Sequence, residues 1–187
     1  MLTGATLGGS GTIAGAVTVN NSGTLAPGNS PGQLQLGSNL TLNNGANLAI
    51  EIGGLTAGSG YDQVQLAGAL TLNTPTLLIS LVNGFTPNLN DKFYIVDITS
   101  SILTTGLFGN AAGGTIVNDT FGNSYEVHYF DTFMNSTPGN DISLTFLGMT
   151  PVPEPSTWAA GALGAVVLLW RMRSRRGRRS TIQPQST

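Results

Sequence analysis

"GTIAGAVTVNNSGTLAPGNSPGQLQLGSNLTL", Gly11 to Leu42, contains no charged and no aromatic side chain. Its aliphatic residues come in alternating pairs: Val17 with Val19, Leu34 with Leu36, Leu40 with Leu42. A period of two puts those side chains on one face of an extended segment, so each run reads as a short, half-buried β-strand. Between the runs stand Asn20-Asn21-Ser22-Gly23, Pro27 through Gly32, and Asn43-Asn44-Gly45. These residue types supply the positive or fixed φ of tight turns. The same texture continues through "NLAIEIGG" at residues 47–54, where Leu48, Ile50 and Ile52 alternate.

Strands this short cannot bury a face alone. Turn signals recurring every few residues fit stacked rungs, in which each rung buries an aliphatic stripe against the next. No strict repeat length is visible, and a sandwich of short strands is the competing architecture. The fold class expected is all-β: short parallel β-solenoid (β-helix-like) rungs over residues 1–60, then a β-rich cap over residues 61–148. From Tyr61 onward the strand candidates lengthen and gain aromatics, as in "YDQVQLAGALTL", "KFYIVDI", "YEVHYF" and "DISLTFL". Such a cap protects the last edge of a stack. The opening "MLTGATLGGSGTIAG" has neither a basic n-region nor an apolar h-region and does not read as a signal peptide. The rung region therefore reads as truncated at its N-terminus.

Charge is scarce and segregated. Charged residues are 9% of the 187-residue chain, against roughly 25% in an ordinary soluble domain. Up to residue 150 the only cation is Lys92, facing eight acids: Glu51, Asp62, Asp91, Asp97, Asp119, Glu126, Asp131 and Asp141. An acidic body with one lysine cannot neutralise phosphates, which excludes nucleic acid as its partner. The chain has no cysteine, so disulfides and thiolate metal sites are excluded as well.

All six arginines follow one apolar run near the C-terminus: Arg171, Arg173, Arg175, Arg176, Arg178 and Arg179. Before it, Pro151, Pro153 and Pro155 favour an extended, protease-accessible connector over residues 149–155. The run from Trp158 to Trp170 carries no charge. As a helix over residues 156–172 it measures about 25 Å, a marginal span of the roughly 30 Å hydrocarbon core. Trp158 and Trp170 suit the two membrane interfaces. By the positive-inside rule the arginines act as a topology stop, leaving a basic tail over residues 173–187 in the cytoplasm and the body across the inner membrane.

Pro153-Glu154-Pro155, a short apolar helix and an arginine cluster together resemble the PEP-CTERM sorting signal of Gram-negative bacteria. The resemblance covers about residues 152–179. It implies recognition by exosortase, a membrane enzyme, and removal of the tail near the Pro-Glu-Pro. A second resemblance lies in residues 11–52, where "GTLAPGNSPG" at Gly23–Gly32 is similar to the hallmark of the autotransporter-associated β-strand repeat. That likeness implies parallel β-helical rungs; no barrel translocator follows.

Little chemistry is visible in the body. His128 is the only histidine, no Gly-x-Ser-x-Gly elbow occurs, and no EF-hand loop is present. No catalytic residue, metal ligand or cofactor is assigned. Glu126, Asp131 and Asp141 are the one candidate carboxylate set, in case two of them approach within the ~5–9 Å that glycosidases use. Tyr125, Tyr129 and Phe130 are candidate glycan-stacking rings, with core packing as their ordinary use. The expected function is a non-enzymatic exported protein, sorted by exosortase to the cell surface or an extracellular polysaccharide matrix. The alternative is a surface glycan-binding or polysaccharide-cleaving β-helix.

Overall fold

The computed structural model describes residues 4–111, 116–134 and 139–149. Among them there is no helix, and the architecture is all-β with parallel sheets. The Pro-Glu-Pro connector, the helix expected over residues 156–172 and the basic tail lie outside the described residues.

The chain runs in circuits of three strands. The first circuit comprises β1 (Thr6–Gly9), β2 (Gly11–Ile13) and β3 (Val17–Val19). The second comprises β4 (Thr24–Pro27), β5 (Gln33–Leu36) and β6 (Leu40–Leu42). β7 (Asn47–Ile52), β8 (Gln63–Leu66) and β9 (Leu70–Asn73) form the third. The fourth is β10 (Thr76–Leu81), β11 (Lys92–Ile98) and β12 (Thr105–Leu107). Each circuit places one strand in each of three sheets, β1-β4-β7-β10, β2-β5-β8-β11 and β3-β6-β9-β12, and every pairing among these twelve strands is parallel.

The alternation seen in the sequence sets the register. Leu7, Leu25, Leu48 and Leu77 stand over one another in the first sheet. Ile13, Leu36, Leu66 and Ile98 do so in the second, and Val19, Leu42 and Leu72 in the third. Within these columns Leu25, Leu42, Leu66 and Ile98 have no exposed surface. Burying each such side chain stabilises the fold by about 1.5–3 kcal/mol. The faces turned outward carry Thr18, Thr41, Thr71 and Thr105 on one sheet and Gln33, Gln35, Gln63 and Gln65 on another.

The circuits differ in length because their turns differ. Asn20 and Asn43 are bonded partners 23 residues apart, whereas Asn43 and Asn73 are 30 apart. The connection between the first and second strands of a circuit lengthens from residues 28–32 in the second circuit to 53–62 in the third and keeps that length, 82–91, in the fourth. Strand register survives because the extra residues are accommodated in these turns. The three asparagines form a ladder at the ends of β3, β6 and β9: Asn43 donates to Asn20 Oδ1 at 2.7 Å, and Asn73 donates to Asn43 Oδ1 at 2.9 Å.

The change of texture at Tyr61 does not mark a change of pairing. β8 to β12 continue the parallel ladders to Leu107, so the first half of the cap expected over residues 61–148 is shared with the circuits. Antiparallel pairing begins where β15 (Asp141–Met149) joins β11, followed by β14 (Asn123–Asp131) and β13 (Ile116–Asn118). Phe93 and Ile95 of β11 are fully buried, as are Tyr125, Val127, Ile142 and Leu144 on the added strands, and the Phe93 ring meets those of Tyr61 and Phe85 edge to face at 5.4 and 6.5 Å.

Beside the other two last strands, side chains take single backbone positions. Asn110 accepts from Leu77 N at 2.9 Å and donates to Leu77 O at 2.8 Å, standing in for a further strand beside β10. The Tyr129 hydroxyl accepts from Phe108 N at 3.0 Å and donates to Ala111 O.

Asn43 sits mid-ladder and loses two bonds on truncation, whereas Asn20 loses one. Asn43→Ala is expected to cost about 1–2 kcal/mol and Asn20→Ala about half as much. Urea unfolding midpoints at unchanged slope measure both.

Candidate functional site

The three candidate carboxylates are carried by β14 and β15. Register places Asp131 opposite Asp141 and Glu126 opposite Thr145. Five residues separate Glu126 from Asp131 along β14, about 16 Å at 3.3 Å per residue, beyond the ~5–9 Å of a glycosidase pair. Asp131 and Asp141 are brought together, yet each is committed elsewhere. Asp141 is fully buried; it accepts from Ile98 N and from Phe133 N, both at 2.7 Å. It ties the end of β11 to the segment after β14.

Asp131 accepts from Lys92 Nζ at 2.7 Å, from Ser143 Oγ at 2.5 Å and from its neighbour Thr132 N at 2.9 Å. Partial burial pushes its carboxyl up, but these donors outweigh burial and hold it below the usual carboxylate range. Such a group is a weak proton acceptor near neutrality. Lys92 Nζ also lies 5.7 Å from the Tyr94 ring centre.

Glu126 and His128 share the outer face of β14, with His128 Nε2 3.6 Å from Glu126 Oε2 and 3.1 Å from Thr145 Oγ1. A shallow depression of about 420 Å³ lies beside them, lined in part by Lys92, His128, Phe130 and Asp131. Tyr125 and Tyr129 are core residues, as their ordinary use predicts. Phe130 is not: it is 66% exposed, because strand alternation turns it away from Tyr129.

A second depression of about 500 Å³ lies over the amide-bearing sheet, lined by Gln33, Gln63, Gln65, Asp97, Phe133 and Met134 among others. Its carboxamides are chained: Gln33 donates to Gln63 Oε1 at 2.8 Å, Gln63 to Tyr94 O at 2.9 Å, and Gln65 to Asp97 Oδ2 at 3.0 Å. Burial pushes the Asp97 carboxyl up, opposed by the Gln65 bond and reinforced by the nearby Asp141 charge.

The "GTLAPGNSPG" segment owes its form to a residue outside it. Asp62, 1% exposed, accepts from Gly32 N at 2.7 Å and from Glu51 N at 2.9 Å. Gly28, at φ +88°, packs so closely on Gly32 and the Asp62 carboxylate that any Cβ there would collide with both. The turn is thus clamped by a carboxylate from the next circuit.

No group of three or more His, Asp or Glu side chains capable of holding a metal ion occurs among the described residues. No helix among them is long and apolar enough to cross a membrane. Pro153, Glu154, Pro155, Trp158, Trp170 and the six arginines lie outside them. Their assignment rests on sequence: the chain matches the family model of the PEP-CTERM protein-sorting motif over residues 151–176. No curated protein matches the chain. The motif supports an exported protein that is processed by exosortase after passage through the membrane.

Burial pushes the Asp62 carboxyl up to about 6, against the pull of the Glu51 and Gly32 N–H groups. A folded-state value above the unfolded one means that the protonated form is favoured on folding. Its contribution is complete below pH 4 and is lost as pH rises through about 6. Urea midpoints are therefore expected to show an Asp62-dependent decline between pH 4 and pH 7, worth about 3 kcal/mol for two units at 1.36 kcal/mol each. Asp62→Asn is expected to remove that part of the slope.

Proposed function

We propose that this chain is a non-enzymatic, exported β-solenoid protein, delivered to the cell surface or an extracellular polysaccharide matrix by its C-terminal signal. The observation that carries the reading is the sorting motif over residues 151–176. In this reading exosortase recognises Pro153-Glu154-Pro155, the segment between Trp158 and Trp170 holds the chain in the inner membrane, and the arginines keep the end cytoplasmic. A weak span and a loose connector suit temporary residence. The body contributes a stiff, sparsely charged spacer of stacked backbone ladders. The likeness of residues 11–52 to autotransporter-associated repeats accords with that role, as does the three-sheet parallel register.

The non-enzymatic part is supported by the state of the carboxylates. Asp131 and Asp141 are occupied by fixed donors, and Glu126 stands far from both. A second reading, contact with a neutral glycan, draws support from the amide-lined depression with Phe133 and Met134 at its rim. Glu126→Gln combined with Asp131→Asn separates binding from cleavage: a polysaccharide-cleaving protein loses turnover in this double variant, and a binder or spacer is unaffected.

Mass spectrometry of the mature protein from an exosortase-containing host tests the main reading. The mature chain is expected to end near Pro155 and to lack all six arginines. Glu154→Ala is expected to leave the tail attached and the protein in the membrane fraction. Recovery of the unsubstituted chain with its arginine tail from the mature surface fraction would overturn the proposal.

A further inference from the structure

Three exposed apolar side chains gather at one end of the antiparallel layer. The strand order β13-β14-β15-β11 sets the β13–β14 turn, the end of β15 and the loop before β11 side by side. Phe121 stands in that turn, and Met149 ends β15 opposite Asn123. Leu89 lies beside Gly148, where a Cβ would meet the Leu89 Cδ1 at 3.9 Å. Phe121, Met149 and Leu89 are 71, 73 and 65% exposed. With about 4.8 Å between neighbouring strands, they lie across roughly 15 Å.

A turn that exposes an apolar side chain ordinarily exposes backbone polar groups with it. Here those groups are taken up locally. Asp119, itself buried, accepts from Phe121 N at 2.8 Å, from Asn123 N at 2.9 Å and from Asn123 Nδ2 at 2.7 Å. Asp91 accepts from Asn88 N at 2.7 Å, and Asn90 donates its N–H to Phe146 O at 2.9 Å. An apolar medium penalises unpaired N–H groups, and these would enter it already paired. Met149 is also where the described chain gives way to the connector. Seven residues lead from it to Ser156, where the expected apolar segment begins. A stretch of that length reaches at most about 25 Å.

We propose that this tip is a membrane-contact surface, where Leu89, Phe121 and Met149 dip into the interface of the bilayer that holds the sorting segment. The inference rests on the reading of residues 156–172 as that segment. The short tether selects lipid as the occupant. It keeps the tip near the bilayer at an effective concentration on the order of millimolar, so even a weak apolar contact is populated. A second copy of the chain has no such tether. Charge plays no part in the attraction, because Lys92, the one cation up to residue 150, is engaged by Asp131. The contact is therefore apolar insertion, open to a zwitterionic surface. It holds the body's end of the Pro-Glu-Pro connector at the bilayer, where a membrane enzyme has to reach it.

The full chain reconstituted in phosphatidylcholine vesicles is the test sample. The native chain has no cysteine, so a single substitution to Cys carries an environment-sensitive dye at one chosen place. Dyes at Phe121→Cys and at Met149→Cys are expected to be quenched about threefold by lipid that bears a spin label near its headgroup. A dye at Phe130→Cys, on the same strand but about 23 Å from Asn123, is expected to remain in water. Leu89→Ser with Phe121→Ser is expected to release the Met149→Cys dye to water; both positions are exposed, so the fold is unaffected. A dye at Val166→Cys reports the sorting segment separately and is expected to stay in lipid throughout. A Val166→Cys dye in water would overturn the reading of the segment, and the tip contact with it. A Val166→Cys dye in lipid with the Phe121→Cys dye in water would overturn the tip contact alone. A Phe121→Cys dye shielded from water but untouched by the labelled lipid would put a second copy on the tip, and would overturn the proposal as well.

Discussion

Leucine stacked on leucine in strict register is the constraint on which everything else here depends. In each sheet an aliphatic residue of one circuit sits directly over its counterpart in the next, as Leu25 does over Leu48 and Leu36 over Leu66. A slip of one residue would turn a whole stripe to solvent and bring its polar partners inside. The strands are therefore held in phase while the turns between them are free to lengthen. Circuits of unequal length can share one core because only the strand segments, three per circuit, have to superimpose.

A body with so few charges must satisfy its polar groups by other means. Stacking supplies them, since a side chain that repeats at the same place in successive circuits meets its own copy. The Asn20–Asn43–Asn73 ladder and the Gln33–Gln63 pair are two such cases. The acids that do occur are used mainly as acceptors for backbone N–H groups. Asp62 clamps the Gly28–Gly32 turn, Asp141 fixes Ile98 and Phe133, and Asp119 accepts from Phe121 N and Asn123 N. This use of carboxylates weighs against a catalytic role for them.

Local features were the legible ones. Alternation at Val17/Val19, Leu34/Leu36 and Leu40/Leu42 announced strands with the correct inward faces, and the aromatic runs at 92–98 and 125–130 announced the longer ones. The sorting tail was legible because its three parts are contiguous. What escaped the sequence was non-local. Asp62 meets Gly32 across 30 residues, Lys92 meets Asp131 across 39, and Asn110 meets Leu77 across 33. Nothing near any of these residues marks its partner. The aromatic texture beginning at Tyr61 suggested a new region. In the structure those aromatics serve a strand, β11, that is parallel on one side and antiparallel on the other. Phe130 read as a core residue by type, yet its place between Tyr129 and Asp131 on β14 sends it outward.

Paired cysteines test the register most directly, since the native chain has none to interfere. Thr41 and Thr71 are aligned partners on an outward face, and Asn73 lies two positions further along the same strand. Neighbouring parallel strands bring aligned Cα atoms to about 4.8 Å, inside the disulfide window. The diagonal pair stands at about 8 Å, outside it. Thr41→Cys with Thr71→Cys is expected to oxidise to an intramolecular disulfide in the folded protein, and Thr41→Cys with Asn73→Cys to remain reduced. Bond formation by the diagonal pair in preference to the aligned one would contradict the stacked register.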